Sequence, residues 1–453
     1  MHLTHHIIVA PATLSGGAIS VVRMSGEGSI HLTDKMFRGT KGRKLLDAAG
    51  HTIHYGEIID GSGATIDDVL VSVFRGPNSY TGEDSVEISC HGSQYIVQRI
   101  IAEALSHGAT MAQAGEFTVR AYMAGRMDLS QAEAVADMIA ATSEASHKMA
   151  STQMRGGYSQ KLSDLRGRLL SLVTLLELEL DFSEEDVEFA DRTKLSSLMG
   201  EIRAEILRLE NSFAVGNAIK NGVAVAIVGE PNAGKSTLLN LLLNDDRAMV
   251  SEIAGTTRDV IEESIVIKGI TFRFIDTAGI HDTSDKLERM GIERSYRAIE
   301  RAHIIVQLMD ATKELAAPIE VSAGQVLIRV RNKVDLLTEL GGAVADSSLD
   351  DTVDISAKAD IGISELVDRL YGAIDTESLY AGDPIVSNVR HYEHLRSACD
   401  SLNAAIAALD DQIPTDLLCE DIRQVLHHIG SITGSITTDE ILGNIFSNFC
   451  IGK

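Results

Sequence analysis

The chain has no tryptophan, and its aromatic residues together make up only 4%. That scarcity argues against broad stacking platforms for single-stranded nucleic acid, which need a series of aromatic faces. Cysteine is rarer still: Cys90, Cys399, Cys419 and Cys450 are the full set, and no two share a CxxC spacing. Neither a disulfide framework nor a zinc site follows, and a reducing compartment fits best. No apolar run approaches the ~18 residues that a membrane span requires. The N-terminal Met1-His-Leu-Thr-His-His lacks the basic flank and long apolar core of a signal peptide. These absences predict a cytoplasmic protein with no membrane partner. Basic residues are in deficit, with 40 Lys and Arg against 65 Asp and Glu and a formal net charge of −25. Such a surface repels a phosphate backbone, so a nucleic-acid partner has to be met through a local basic patch or an adaptor protein.

What is present is a soluble chain of 453 residues, 44% hydrophobic and 23% charged, long enough for two to four domains. Residues 1–118 alternate short apolar runs with turns. Ile7–Ala10, Ala18–Arg23, Asp68–Phe74 and Ser85–Ser89 read as strands and Gln94–Leu105 as a helix, which predicts an α+β domain. Residues 119–214 are rich in Ala and Leu, with i, i+3, i+4 spacing along Leu165–Leu180, and read as long packed helices. Residues 215–375 alternate strand and helix patterns from Val223 onward, which predicts an α/β domain with a parallel sheet and crossover helices. Residues 376–453 are helical again. Either helical part alone would struggle to cover its apolar faces, so the two predict one discontinuous all-α domain with the α/β domain inserted.

The inserted segment carries the chemistry. Gly229-Glu-Pro-Asn-Ala-Gly-Lys-Ser236 follows an apolar strand and precedes a helical run, the context a phosphate-binding P-loop requires. Asn232, Ala233, Gly234, Lys235, Ser236 and Thr237 would wrap the phosphates, with Lys235 on the β- and γ-phosphates and Ser236 on Mg²⁺. Asp276-Thr277-Ala278-Gly279 follows a strand; Asp276 belongs behind Mg²⁺ and Gly279 beside the γ-phosphate. Asn332-Lys333-Val334-Asp335 follows the next strand pattern. The Asp335 carboxylate there accepts two hydrogen bonds from guanine that adenine cannot supply. Ser356-Ala357-Lys358 fits the loop that supports the guanine oxygen. Gly255-Thr256-Thr257-Arg258-Asp259 occupies the switch position, with Thr257 the candidate for Mg²⁺ and γ-phosphate. The order of these elements predicts GTP as the nucleotide. Ile280 stands where many small GTPases carry a water-orienting Gln, so another group has to orient the water. Asp282, Asp285, Glu288 and Glu293 are all within sequence reach.

Several stretches together resemble the MnmE (TrmE) family of tRNA wobble-uridine modification GTPases. They are the Asn232-bearing P-loop, the Gly-Thr-Thr-Arg-Asp switch, Asp276–Gly279 followed by an aliphatic residue, Gly76–Asp84, His91-Gly92, Gly115–Thr118, Asp128–Ala134 and the terminal Phe449-Cys-Ile-Gly-Lys453. The resemblance implies a homodimer whose GTPase is activated by G-domain pairing and K⁺. The ion would meet Asn232, main-chain oxygens of Ser251 and Ile253, and Thr256, with Glu288 as the catalytic glutamate. It implies a folate one-carbon carrier, 5,10-methylenetetrahydrofolate or 5-formyltetrahydrofolate, held by Arg23, Glu83, Arg126 and Lys453. Arg126 stands where many relatives have Lys, and the two cations are not geometrically equivalent. Cys450 in the terminal motif becomes a possible functional thiol. The implied partners are the flavoprotein MnmG and tRNA. The alternative is a ribosome-assembly GTPase acting as a binding switch, which should carry a basic RNA-binding module; the C-terminal segment here is helical instead.

Overall fold

The computed structural model describes residues 6–13, 16–181, 192–244, 249–250, 263–275, 298–314, 316–322, 324–339, 352–374, 383–411, 413–447, 449 and 452. These form two compact units: Met1–Ala136 with Gly430–Lys453, and Asp137–Ile429.

The first unit is built on a seven-stranded sheet. Its strands are β1 (Ile8–Pro11), β2 (Ile19–Ser25), β3 (Phe37–Gly39), β4 (Thr52–Ile59), β5 (Thr65–Phe74), β6 (Ser85–His91) and β7 (Thr110–Met111). They lie in the order β3-β4-β5-β6-β2-β1-β7, antiparallel except for the β1–β7 pair. The period-two pattern decides the faces. Val69, Val71 and Val73 of β5 and Val86 and Ile88 of β6 point into one core with Val97 and Ile100 of helix Gln94–Ser106 and Met36 of helix Ser29–Met36. On β1, Ile8 and Ala10 instead pack with Ala112 and Phe117. The chain end returns to this unit, where Leu442 and Phe446 of helix Asp439–Phe446, with Phe449, pack on Val119, Leu129 and Ala132.

In the second unit helices from both sides of the inserted segment meet. Helix Arg192–Asn211 buries Leu195, Met199, Ile202, Ile206 and Leu209, a single stripe of helical period. It runs along helix Val389–Asp410, which buries Leu395, Ala398, Leu402 and Ala405. Phe213 stacks on Tyr392 with ring centroids 4.5 Å apart. The all-α part is therefore discontinuous in sequence and continuous in space.

The inserted α/β part has seven strands: β8 (Val223–Gly229), β9 (Met249–Val250), β10 (Glu263–Ile267), β11 (Ile270–Phe274), β12 (Ile304–Asp310), β13 (Val326–Asn332) and β14 (Thr352–Asp354). Their order is β14-β13-β12-β8-β11-β10-β9, and β10 runs against both of its neighbours. Strand β8 is apolar throughout because both its faces are covered. Val225 and Ile227 meet Leu238, Leu239 and Leu242 of helix Lys235–Asn244, while Ala226 and Val228 meet Ala298 and Ala302. The carboxyl ends of β8, β12, β13 and β14 open on one edge, where ligands of doubly wound sheets bind. Among the described residues no helix is long and apolar enough to cross a membrane, and Cys90, Cys399 and Cys419 are buried and form no disulfide.

Because Leu402 is fully buried between the two long helices, Leu402→Ala should destabilise the helical part by about 2–5 kcal/mol. Thermal unfolding followed by circular dichroism should show a lowered midpoint for the helical signal; an unchanged midpoint would contradict this packing.

Candidate functional site

At the end of β8 the chain turns through Gly229–Gly234 into helix Lys235–Asn244. Two of its glycines are required by space. A Cβ on Gly229 would collide with the carbonyl oxygen of Leu308 in β12, and one on Gly234 with Nδ2 of Asn332. Gly234 also has φ +100°. Asn232 takes φ 66° and stays exposed; asparagine is among the few L-residues that visit this region readily. Lys235 folds across the loop, its Nζ donating to the carbonyls of Gly229 at 2.8 Å and Glu230 at 2.9 Å. Burial pulls its ammonium pKa below the usual lysine value. A desolvated cation beside free helix-terminal N–H groups favours an anion. Ser236 is half-buried in the first turn and Thr237 exposed.

The second half of the site is organised by Asn332, only 2% exposed at the end of β13. Its Nδ2 donates to the Ala233 carbonyl at 2.8 Å, and its Oδ1 accepts from the Ala357 N–H at 2.9 Å. One amide thus clamps the P-loop to the Ser356–Lys358 loop. Ser356 is fully buried, and its backbone exchanges hydrogen bonds with Ile361 at 3.0 and 3.1 Å. Lys358 is exposed. Lys333, at φ 70°, donates from Nζ to Asp310 Oδ2 at 2.6 Å. Burial alone would raise the Asp310 carboxyl, but hydrogen bonds from Lys333 and Thr312 outweigh it and hold the pKa below the usual aspartate value. Asp335 sits half-buried in the first turn of helix Val334–Glu339.

Of the expected nucleotide residues, the fold thus gathers Asn232–Thr237, Asn332, Lys333, Asp335 and Ser356–Lys358 at one sheet edge. Ser251, Ile253, Thr256, Thr257, Asp276, Thr277, Ala278, Gly279, Glu288, Cys450 and Lys453 lie outside the described residues. Asp310 escaped the sequence argument. Its signal was an acid closing the apolar strand Ile304–Asp310 at the edge where the motifs cluster.

The residues expected at a folate site lie in the first unit. Arg23 faces Glu87 across β2 and β6, donating from Nε and Nη2 to Glu87 Oε1 at 2.9 and 2.7 Å. Its Nη1 reaches the Gly452 carbonyl at 3.3 Å, and its guanidinium lies 5.5 Å from the Tyr80 ring and 5.7 Å from Phe117. Glu83 accepts from Ser25 Oγ at 3.2 Å and from Arg120 Nη1 at 3.1 Å. Arg126 is exposed. No motif had pointed to Glu87 or Arg120; the only local sign of Arg120 was the i, i+4 spacing from Glu116.

The residues fit the groups they were expected to hold as far as they are described. The glycine cradle has no room for side chains, which leaves its backbone open to phosphates. The half-buried Ser236 hydroxyl suits Mg²⁺, and the exposed Asn232 suits a monovalent cation. A ring-stacked arginine beside an acceptor carboxylate suits a flat heterocycle.

Residues 129–450 match the family model of the MnmE helical domain, and residues 7–126 match that of the GTP-binding protein TrmE N-terminus. A tRNA modification GTPase MnmE from Flavobacterium psychrophilum is 49% identical over 460 residues, covering 99% of either chain. Relatives of the same name from Flavobacterium johnsoniae and Bacteroides thetaiotaomicron are 50% identical over 461 residues, covering 98% of this chain and 99% of theirs. Among solved structures, the FeoB G-domain from Methanococcus jannaschii is 26% identical, covers 33% of this chain and 96% of its own, and superposes with a TM-score of 0.24.

Replacing Asn332 by Ala leaves two buried backbone groups, Ala233 O and Ala357 N–H, without their partner. Guanine-nucleotide affinity should fall about 10- to 100-fold. Fluorescent GDP titration checks this, and an Asn332→Ala protein that binds like the parent would show that the clamp does not shape the site.

Proposed function

The chain belongs to the MnmE (TrmE) family of tRNA modification GTPases, and from that premise we propose a homodimeric, K⁺-dependent GTPase that works with the flavoprotein MnmG. Together they would install an aminomethyl or carboxymethylaminomethyl group at C5 of the wobble uridine of certain tRNAs. The one-carbon unit would come from 5,10-methylenetetrahydrofolate or 5-formyltetrahydrofolate. The observation that carries the proposal is the near-half identity, over almost the whole chain, to proteins named tRNA modification GTPase MnmE. We keep the division into 1–118, 119–214, 215–375 and 376–453 as the working assignment of parts, and the cytoplasm as the site of action.

In this proposal the P-loop backbone wraps the β- and γ-phosphates of GTP, and Lys235 leaves its two loop carbonyls to meet them. Asn332 holds the loop in register with Ser356–Lys358, and the Asp335 carboxylate accepts the guanine N1–H and exocyclic amine. Ser236 and Thr257 would hold Mg²⁺; Asn232, Ser251, Ile253 and Thr256 would hold K⁺. When bound, the two ions supply fixed positive charge against the phosphates. Glu288 would orient the attacking water, the task Ile280 cannot perform. Asp276, Thr277, Ala278 and Gly279 would register the γ-phosphate, so that hydrolysis opens and closes paired G domains. Arg23, Glu83, Arg126 and Lys453 would hold the folate, near which Cys450 would lie. With a net charge of −25, the chain would leave much of the tRNA backbone to its partner.

Steady-state GTP hydrolysis in KCl and in NaCl at matched ionic strength tests the proposal, with Asn232→Ala and Glu288→Ala alongside. The expected result is a KCl-specific rate that drops about 100-fold or more in either variant. Equal rates in the two salts would reopen the ribosome-assembly alternative.

A further inference from the structure

Five basic residues stand within ten positions of the first unit: Lys35, Arg38, Lys41, Arg43 and Lys44. No ten-residue stretch that lies outside this one has more than three, and no acid falls between Asp34 and Asp47. In a chain of net charge −25 this is a local reversal of sign. The fold holds the stretch in place and turns its charges out. Phe37 and Leu45 are buried in the core of the sheet, and Asp34 accepts from the Leu45 N–H at 2.6 Å. Thr40 Oγ1 donates to the Tyr55 carbonyl at 2.8 Å, and β3 pairs with β4 along the edge of the sheet. Around those anchors all five cations are exposed. Lys41 keeps its place at φ 61°, a left-handed backbone that favours glycine. Charge on an edge strand wards off pairing with another strand. That accounts for Arg38, which lies on β3 and meets Glu57 at 3.1 Å. It does not account for Lys35, Lys41, Arg43 and Lys44, which lie off the strand and meet no acidic side chain among the described residues.

We propose that this stretch is an RNA-docking surface that takes the phosphodiester backbone of tRNA. The inference deepens the tRNA reading proposed above and rests on it. An RNA backbone is repelled by an acidic protein except where cations cluster and are not already neutralised. Four solvated cations without acidic partners, on a loop held at both sides, meet that condition. Each one that neutralises a phosphate releases a counterion from the RNA, so the binding weakens as salt rises. Residues 35–46 carry no exposed aromatic side chain, since Phe37 is buried. The stretch therefore has no ring on which to stack a base, and it meets charge instead of sequence. It positions the tRNA and leaves recognition of the wobble base to other residues.

Binding of the full-length protein to an unmodified tRNA transcript with a wobble uridine, followed by fluorescence anisotropy across a KCl series, tests this. Lys41→Gln/Arg43→Gln/Lys44→Gln is compared with the charge-keeping Lys41→Arg/Arg43→Lys/Lys44→Arg. A third variant, Arg155→Gln/Lys194→Gln/Arg396→Gln, removes the same charge from exposed positions of the second unit. The neutralised loop should bind about 10-fold or more weakly, with the slope of log Kd against log salt reduced by about one per cation removed. The charge-keeping and second-unit variants should bind like the parent. A second transcript with a different wobble base should lose affinity equally. Parental affinity in the neutralised loop overturns the proposal. So does a matching loss in either of the other two variants, or a loss confined to one transcript. If the neutralised loop instead loses binding to phosphatidylglycerol vesicles while its tRNA affinity is kept, the surface belongs to a membrane and the proposal falls. A parent that binds no transcript yet shows KCl-specific GTP hydrolysis sinks this inference alone. A parent that binds the transcript through this loop without KCl-specific hydrolysis sinks the proposed mechanism and upholds the docking surface.

Discussion

The buried amide of Asn332 holds the nucleotide site together. It donates to the P-loop at Ala233 and accepts from the backbone of Ala357, so two loops that follow different strands are tied through one planar group. The geometry makes exacting demands on its neighbours. Position 234 has to be glycine because the amide nitrogen occupies the space of a Cβ. Asn332 has to end β13 beside β12, whose own end faces Gly229 across the parallel ladder. An aspartate in its place would lose the donor and bring an unwanted charge into a buried position. The clamp requires both a donor and an acceptor on one rigid plane, and an amide is the side chain that offers them.

Around that clamp several charges are paired across neighbouring strands. Lys333 meets Asp310, and Arg331 meets Asp354 between β13 and β14. Lys235 is held on neutral carbonyl oxygens, at a lowered pKa. In the first unit Arg23 meets Glu87 while stacked near Tyr80 and Phe117, and Arg120 is shared by two glutamates. In both candidate sites a partly buried cation stands against a well-packed sheet.

Much of the fold was legible because its signals are local. The alternation in Asp68–Phe74 and Ser85–Ser89 marks strands that extend from Thr65 and to His91. The run around Leu165–Leu180 marks a helix spanning Gly157–Asp181. The P-loop is legible for the same reason, since its glycines, lysine and serine serve one turn within eight residues. The complementary helical stripes on Arg192–Asn211 and Val389–Asp410 were readable as stripes, and their need for cover suggested that the two parts meet.

Which residues face each other across long stretches of chain was not legible. Arg23 and Gly452 are 429 positions apart, Asn332 and Ala233 are 99 apart, and Arg120 and Glu83 are 37 apart. No period or spacing connects the members of such pairs, and each residue alone looks like an ordinary surface or turn residue. The sequence by itself determined the types of element, the guanine-nucleotide motifs and the family. Only the tertiary structure decided that Asn332 is a clamp, that Asp310 answers Lys333, and that the chain end returns to pack beside Phe117's helix and reach Arg23. Local patterns report backbone period and turn geometry, whereas these contacts depend on strand order and register, which are fixed only when the whole core closes.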